Sequence, residues 1–170
     1  GIGNYSGDTT VKYTVNAQQS YKATAAAKTY NAKNQTTKVT VKYGNTVLKR
    51  GTDYKITGVT KAKNAGKYKI TVKGINNYKG TKTIYYTINK AAQKSVKVKV
   101  NASKKKITVS GVKAKAKVTY KSANKKVKVK NGKITVGKGV KKGTKVRITV
   151  KVAATKNYKA YSKSIIYKVK

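Results

Sequence analysis

The sequence predicts an all-β chain built from small sandwich modules, and three observations carry that prediction. Lysine alternates with Val, Ile and Thr, as in Val96-Lys97-Val98-Lys99-Val100 and Val127-Lys128-Val129-Lys130, which is the two-residue period of half-buried strands. The apolar inventory is 21 Val and 11 Ile against a single Leu, with no Phe, Trp or Met, so 14 Tyr supply all the aromatic bulk. β-Branched and tyrosyl side chains suit a pleated sheet and disfavour helices, so almost no helix is expected. Finally, a turn followed by a closing strand recurs three times. Asn4-Tyr5-Ser6-Gly7 leads into Val11–Val15, Asn77-Tyr78-Lys79-Gly80 into Ile84–Ile88, and Asn157-Tyr158-Lys159-Ala160 into Ile165–Val169. Tyr5, Tyr78 and Tyr158 stand at intervals of 73 and 80 residues, too long for a solenoid repeat and suited to a small sandwich.

That spacing implies two complete modules, residues 16–89 and 90–170, in an elongated tandem. Residues 1–15 read as the closing strand of a preceding repeat, or as a free strand able to pair with the edge of another chain. Alternation places strands at 38–42, 54–58, 66–73 and 82–88 in the first module. In the second it places them at 95–100, 105–110, 116–121, 126–130, 133–136, 144–153 and 162–168. Proline is absent, so Gly and Asn mark the turns. Asn131-Gly132 between two alternating runs is the strongest hairpin signal, because both loop positions of a type I′ turn need positive φ.

Charge sets the functional expectations. Forty-three Lys and Arg face two acids, Asp8 and Asp53, with no histidine, for a formal charge of +41. Such one-signed charge usually marks a disordered tail or a ligand of polyanions. Here the alternation assigns the lysines to the outer faces of folded strands. The lack of Cys and His excludes disulfides and zinc sites, and two carboxylates cannot build a calcium cage. General acid–base catalysis needs His or a tuned carboxylate. Both Asp residues sit in turns, and Asp53 reads as an Asx-turn acceptor for its own backbone. No catalytic residue, metal or cofactor is therefore expected, nor a Lys–Asn amide crosslink, since neither Asp8 nor Asp53 is flanked by the apolar residues of a buried catalyst; an intact mass short by one ammonia would show one. No run approaches the ~20 apolar residues of a membrane helix and no signal peptide is visible, so the chain reads as a soluble piece of a longer protein.

Solvated strand faces normally mix Lys with Glu and Asp. Here the acids are missing, and lysines two apart on one face lie ~6.7 Å from each other, repelling by up to roughly 0.6 kcal/mol before screening. An anionic partner would relieve that repulsion. Lys outnumbers Arg 41 to 2, and the ammonium lacks the bidentate fork that reads guanine, which argues against sequence-specific nucleic-acid recognition. The densest clusters, Lys104-Lys105-Lys106, Lys125-Lys126 and Lys141-Lys142, are the candidate anion contacts, because loop positions leave side chains free to converge.

The run Leu48-Lys49-Arg50-Gly51-Thr52-Asp53-Tyr54, followed by Asn64-Ala65-Gly66-Lys67-Tyr68 and on to Gly74-Ile75-Asn76-Asn77-Tyr78-Lys79-Gly80-Thr81, resembles the MBG-type immunoglobulin-like repeats of Gram-positive surface proteins. That likeness covers most of residues 28–88. Val118-Thr119-Tyr120-Lys121-Ser122-Ala123-Asn124, with Val127, Asn131-Gly132-Lys133-Ile134-Thr135-Val136 and Lys142-Gly143-Thr144, resembles the second group of bacterial immunoglobulin-like (Big) domains over most of residues 95–170. The resemblance implies immunoglobulin-like sandwiches stacked with neighbouring repeats into the stalk of an extracellular, cell-surface or wall-anchored adhesin, or of a phage fibre. The chain departs from those repeats in carrying Lys where they commonly have acidic or neutral surface residues. The resulting expectation is a non-enzymatic stalk that binds anionic polymers by charge, among them teichoic acid, acidic polysaccharide, sialylated or sulfated mucin glycans and extracellular DNA. Two other classes stay open: a non-sequence-specific nucleic-acid-binding protein, and a fibre subunit that self-associates through residues 1–15.

Overall fold

The computed structural model describes residues 20–170, so the leader at 1–15, with Asp8 and the expected strand at 11–15, lies outside the described residues. Between residues 20 and 89 the strands are β1 (Lys22–Ala25), β2 (Lys28–Thr29), β3 (Gln35–Thr36), β4 (Val39–Tyr43), β5 (Thr46–Val47), β6 (Tyr54–Gly58), β7 (Lys61–Ala62), β8 (Gly66–Gly74) and β9 (Thr81–Asn89). Beyond them come β10 (Lys97–Asn101), β11 (Lys106–Ser110), β12 (Val118–Ser122), β13 (Val127–Lys130), β14 (Lys133–Val136), β15 (Lys145–Val152) and β16 (Tyr161–Lys168). Among the described residues the helical content is one 3-10 turn at Lys113–Lys115. The fold is all-β, as the alternation requires.

No sheet mixes strands from before and after residue 90. In the N-terminal half a sheet ordered β1-β4-β5 faces one ordered β2-β9-β8-β6, with the short pair β3-β7 beside them. In the C-terminal half β10-β11-β14-β13 faces β12-β15-β16. Pairing is antiparallel except for β2 with β9. Each half has its own core. Val41 from β4 meets Ile70, Val72, Tyr86 and Ile88 from β8 and β9. Ile107, Val127 and Ile134 from one C-terminal sheet meet Ile148, Val150 and Tyr167 from the other. Each such fully buried aliphatic contributes about 1.5–3 kcal/mol.

Strand β8 shows how the sequence forces this arrangement. Ile70 and Val72 are fully buried, while Lys67, Lys69 and Lys73 between and beside them are exposed, so a one-residue slip would drive three charges into the core. The Asn131-Gly132 loop has positive φ at both residues (48° and 80°) and joins Lys130 to Lys133, as a type I′ turn does. A Cβ on Gly132 would also run into the Ile107 carbonyl oxygen, so both backbone conformation and space select glycine there.

The long strands fall within a few residues of the alternating runs, with two informative differences. β10 starts at Lys97 and not at Ser95, because Val96 N–H donates to the Gln93 carbonyl and Ser95 Oγ donates to the Gly111 carbonyl, tying that stretch into a turn. The pairs β2, β3, β5 and β7 escaped the sequence reading, since two residues are too few to display alternation. β1, Lys-Ala-Thr-Ala, escaped because Ala23 and Ala25 carry too little apolar surface to stand out.

The junction between the halves is bonded. Asn157 Nδ2 donates to Asn64 Oδ1 (3.0 Å), and Asn157 Oδ1 accepts from the Ala65 amide (2.8 Å). Ala91 in the connection exchanges main-chain bonds with Asn157 and Lys159, and Tyr30 meets Tyr158 edge to face at 5.4 Å. The Asn-Tyr pair that marks the sequence repeat is thus the residue pair that joins the two halves.

Tyrosine replaces phenylalanine throughout, with opposite results at two core positions. The Tyr21 hydroxyl reaches the Val72 and Gly80 carbonyls (2.9 and 2.8 Å) and accepts from the Gly74 amide (3.0 Å), tying the chain entry to the β8–β9 connection. Tyr86 stacks on Tyr68 at 5.1 Å, but its hydroxyl, like that of Tyr167, is buried with no hydrogen-bond partner. Burial, with Tyr68 adding to it, pushes the Tyr86 phenol pKa up. Tyr21→Phe is therefore expected to lower the unfolding free energy by about 1 kcal/mol, and Tyr86→Phe to raise it by about 1 kcal/mol, both measurable by urea titration. The pH dependence has a definite sign. A phenol pKa raised by folding stabilises fully below its unfolded value of about 10, and that contribution is lost as pH climbs past it. The advantage of Tyr86→Phe over the native chain should consequently widen above about pH 10.

Candidate polyanion interface

Among the described residues every lysine except Lys28 is exposed, and about half stand on outward strand positions. Register then decides which of them meet. Lys106 on β11 is directly opposite Lys133 on β14, and Lys133 is directly opposite Lys130 on β13, so three lysines form one row across three strands. Lys97 and Lys99 on β10 and Lys128 on β13 share that outer face, with Thr108, Ser110 and Thr135 between them. Further opposed pairs are Lys22 with Lys42, Lys55 with Lys73, and Lys145 with Lys168. Directly opposed residues have Cβ atoms about 4.5–5.5 Å apart, closer than the ~6.7 Å spacing along a strand. A pair of unit charges at ~5 Å repels by up to roughly 0.8 kcal/mol in water, less whatever the flexible stems gain by splaying.

Little on the surface offsets this. The half-buried Asp53 carboxylate accepts from the Lys49 amide (2.7 Å), so its charge is engaged by a backbone N–H within its own turn. The Asx-turn reading of Asp53 needs correction in detail: its partner lies four residues upstream and not two downstream, because the turn closes back through Asp53 N–H to the Lys49 carbonyl. Asp53 is half-buried, and Asp8, the other acid a Lys–Asn amide could use, lies outside the described residues. Lys67 sits 4.3 Å from the centroid of the exposed Tyr85 ring, a cation–π contact that engages one ammonium in the N-terminal half. Among the described residues no cluster of three His, Cys, Asp or Glu side chains occurs, and no helix is long and apolar enough to cross a membrane.

The candidate clusters divide between the two ends of the C-terminal half. Lys104 and Lys105 lie in the β10–β11 turn beside the Asn131-Gly132 hairpin, where the Lys105 carbonyl accepts from the Ile134 amide. Lys106 is not a loop residue: it is the first residue of β11, held there by its pairing with Lys133. Lys125 and Lys126 lie in the β12–β13 connection, and Lys141 and Lys142 in the β14–β15 connection, both at the opposite end of β13 and β14. About 10 Å of strand separates the two groups. Lys130 and Lys133, missing from the sequence-based set, join the first group at the hairpin end, and Lys128 stands between that end and the other. The pairing of Lys130 with Lys133 was readable from Asn131-Gly132, since a two-residue loop puts its flanking residues opposite each other.

Comparison with protein-family models, curated proteins and solved structures finds no match to this chain. The chemistry of the surface therefore rests on the residues themselves: an array of exposed, hydrated ammonium groups carried on paired strands and their connections. Lys133→Glu turns two repulsive cross-strand pairs into attractive ones. It should raise the unfolding free energy by about 0.5–1 kcal/mol at low salt, with Lys133→Gln giving roughly half, and both gains should shrink as salt is added.

Proposed function

We propose that this chain is a non-enzymatic structural segment of an extracellular, surface-attached protein, whose lysine faces bind anionic polymers through charge without reading their sequence. The observation that carries the proposal is the set of directly opposed lysines, with no acid in the Lys130-Lys133-Lys106 row and Asp53 the one acid among the described residues. An intrachain ion pair would place a carboxylate in those rows. Here the neutralising charge has to come from outside the chain. The resemblance of residues 28–88 and 95–170 to immunoglobulin-like surface repeats supports a stalk built of tandem modules, and the hydrogen-bonded Asn157 junction suits a stalk that holds its modules in fixed register. The 41-to-2 preference for Lys over Arg favours broad polyanion binding over specific nucleic-acid recognition.

The test is a titration of the folded chain against duplex DNA, a teichoic acid and a sulfated glycan at about 50 and about 200 mM salt. Comparable affinities at the lower salt, falling by orders of magnitude at the higher, are the expected result. Persistent preference for DNA at the higher salt would replace this reading with a dedicated nucleic-acid binder. Assembly that disappears when residues 1–15 are deleted would replace it with a fibre subunit.

A further inference from the structure

The two sheets of the C-terminal half have edge strands on both sides, β10 with β16 on one and β12 with β13 on the other, and β12 and β13 run as neighbouring edges joined by a short connection. Each pairs on one side alone, β12 with β15 and β13 with β14, so the remaining main-chain N–H and C=O groups of both edges are left for the seam. That seam is a groove of about 540 Å³, within the ~300–1,000 Å³ range of small-ligand clefts. Tyr120, Val127 and Val129 line it together with Lys121 on the β12 side, Lys128 and Lys130 on the β13 side and Lys125 at the connection. Ammonium groups therefore border it from both sheets, and Lys130 continues into the row formed with Lys133 and Lys106. The Asn124 carbonyl oxygen, side-chain Oδ1 and Ser122 Oγ are engaged in the local turn, which leaves the lysines as the charged groups of the lining. Burial raises the Tyr120 phenol pKa, so the ring stays neutral beside them.

We infer that this groove is the chain's preferred binding site for a linear, hydroxyl-bearing polymer carrying phosphate or sulfate esters, an inference that rests on the polyanion-binding reading above. The lysines take the ester oxygens, and Lys128 and Lys130, ~6.7 Å apart along one strand face, take successive anionic groups. Polymer hydroxyls donate to the free edge carbonyls, which a polymer without hydroxyls cannot use. Tyr120 is half-buried and offers no open aromatic platform, so bases find nothing to stack on, and single-stranded nucleic acid is disfavoured.

The experiment compares the native chain with two triple variants at about 150 mM salt, near physiological ionic strength. One removes Lys121, Lys128 and Lys130 as Gln; the other removes Lys55, Lys69 and Lys73 as Gln on the outer face of the N-terminal half. The probes are a short glycerol-phosphate oligomer, a sulfated octasaccharide and an oligothymidylate of equal charge. The groove variant should lose at least about tenfold in affinity for the first two probes, and the control variant no more than about threefold; a tenfold change corresponds to about 1.4 kcal/mol. The ratio of the first two affinities tells whether the phosphate or the sulfate ester is favoured. Equal losses in both variants would overturn the groove and leave general polyanion binding standing. No binding by the native chain to any probe, even at low salt, would overturn both. Tighter binding of oligothymidylate would overturn the assigned ligand chemistry. Amide shifts of the native chain saturated with each oligomer provide a reading that needs no variant, and must centre on residues 120–130.

Discussion

Same-sign repulsion between lysines fixed on β-strands is the interaction around which this molecule is arranged. A chain of charge +41 stays compact only if its apolar groups are segregated completely from its cations. The two-residue period of a strand is the simplest way to do that, because every residue that enters the core is followed by one that leaves it. In β8 and β15 the segregation is nearly strict: Ile70, Val72, Ile148 and Val150 are fully buried, while Lys69, Lys73, Arg147 and Lys151 on the other face are exposed. The same order that spares the core concentrates charge outside it. Register then brings Lys106, Lys133 and Lys130 into one row, adding an unfavourable term to folds whose net stability is typically ~5–15 kcal/mol.

The core has to offset this without Phe, Trp or Met. Val and Ile pack between the sheets, and Tyr serves as the large side chain, bringing a hydroxyl wherever it goes. At Tyr21 the hydroxyl is used to close the β8–β9 connection onto the chain entry. At Tyr86 and Tyr167 it is a buried polar group without a partner, so aromatic volume comes with a desolvation cost. Tyr158 uses its ring against Tyr30 while its neighbour Asn157 bonds across to Asn64 and Ala65, turning a repeat motif into the joint between the halves.

Much of the architecture was legible in the sequence, for reasons that differ from element to element. β6 and β14 were placed to the residue because alternation and bounding Gly or Asn agreed. The Asn131-Gly132 turn was legible because few residue pairs tolerate two positive φ values. The two-residue strands were hidden, since their existence depends on partners far along the chain and not on local pattern. The candidate site was legible as charge but not as geometry. Lys104 to Lys106 stood out as a run, whereas the meeting of Lys106 with Lys133 depends on a β11–β14 pairing that no local spacing encodes. The seam between β12 and β13 is a property of which strands are sheet edges, and that is decided only when both sheets have formed.

The most direct test of the central claim is the unfolding free energy of the native chain in sodium chloride from about 20 to about 500 mM, a range over which the screening length shrinks from roughly 20 Å to a few ångströms. If lysine repulsion is the dominant electrostatic term, stability rises steadily across the range and levels off once the screening length falls below the cross-strand spacing. Stability that stays flat, or declines as salt increases, would mean that the splayed ammonium groups already escape one another in water and that the lysine coat places no load on the fold.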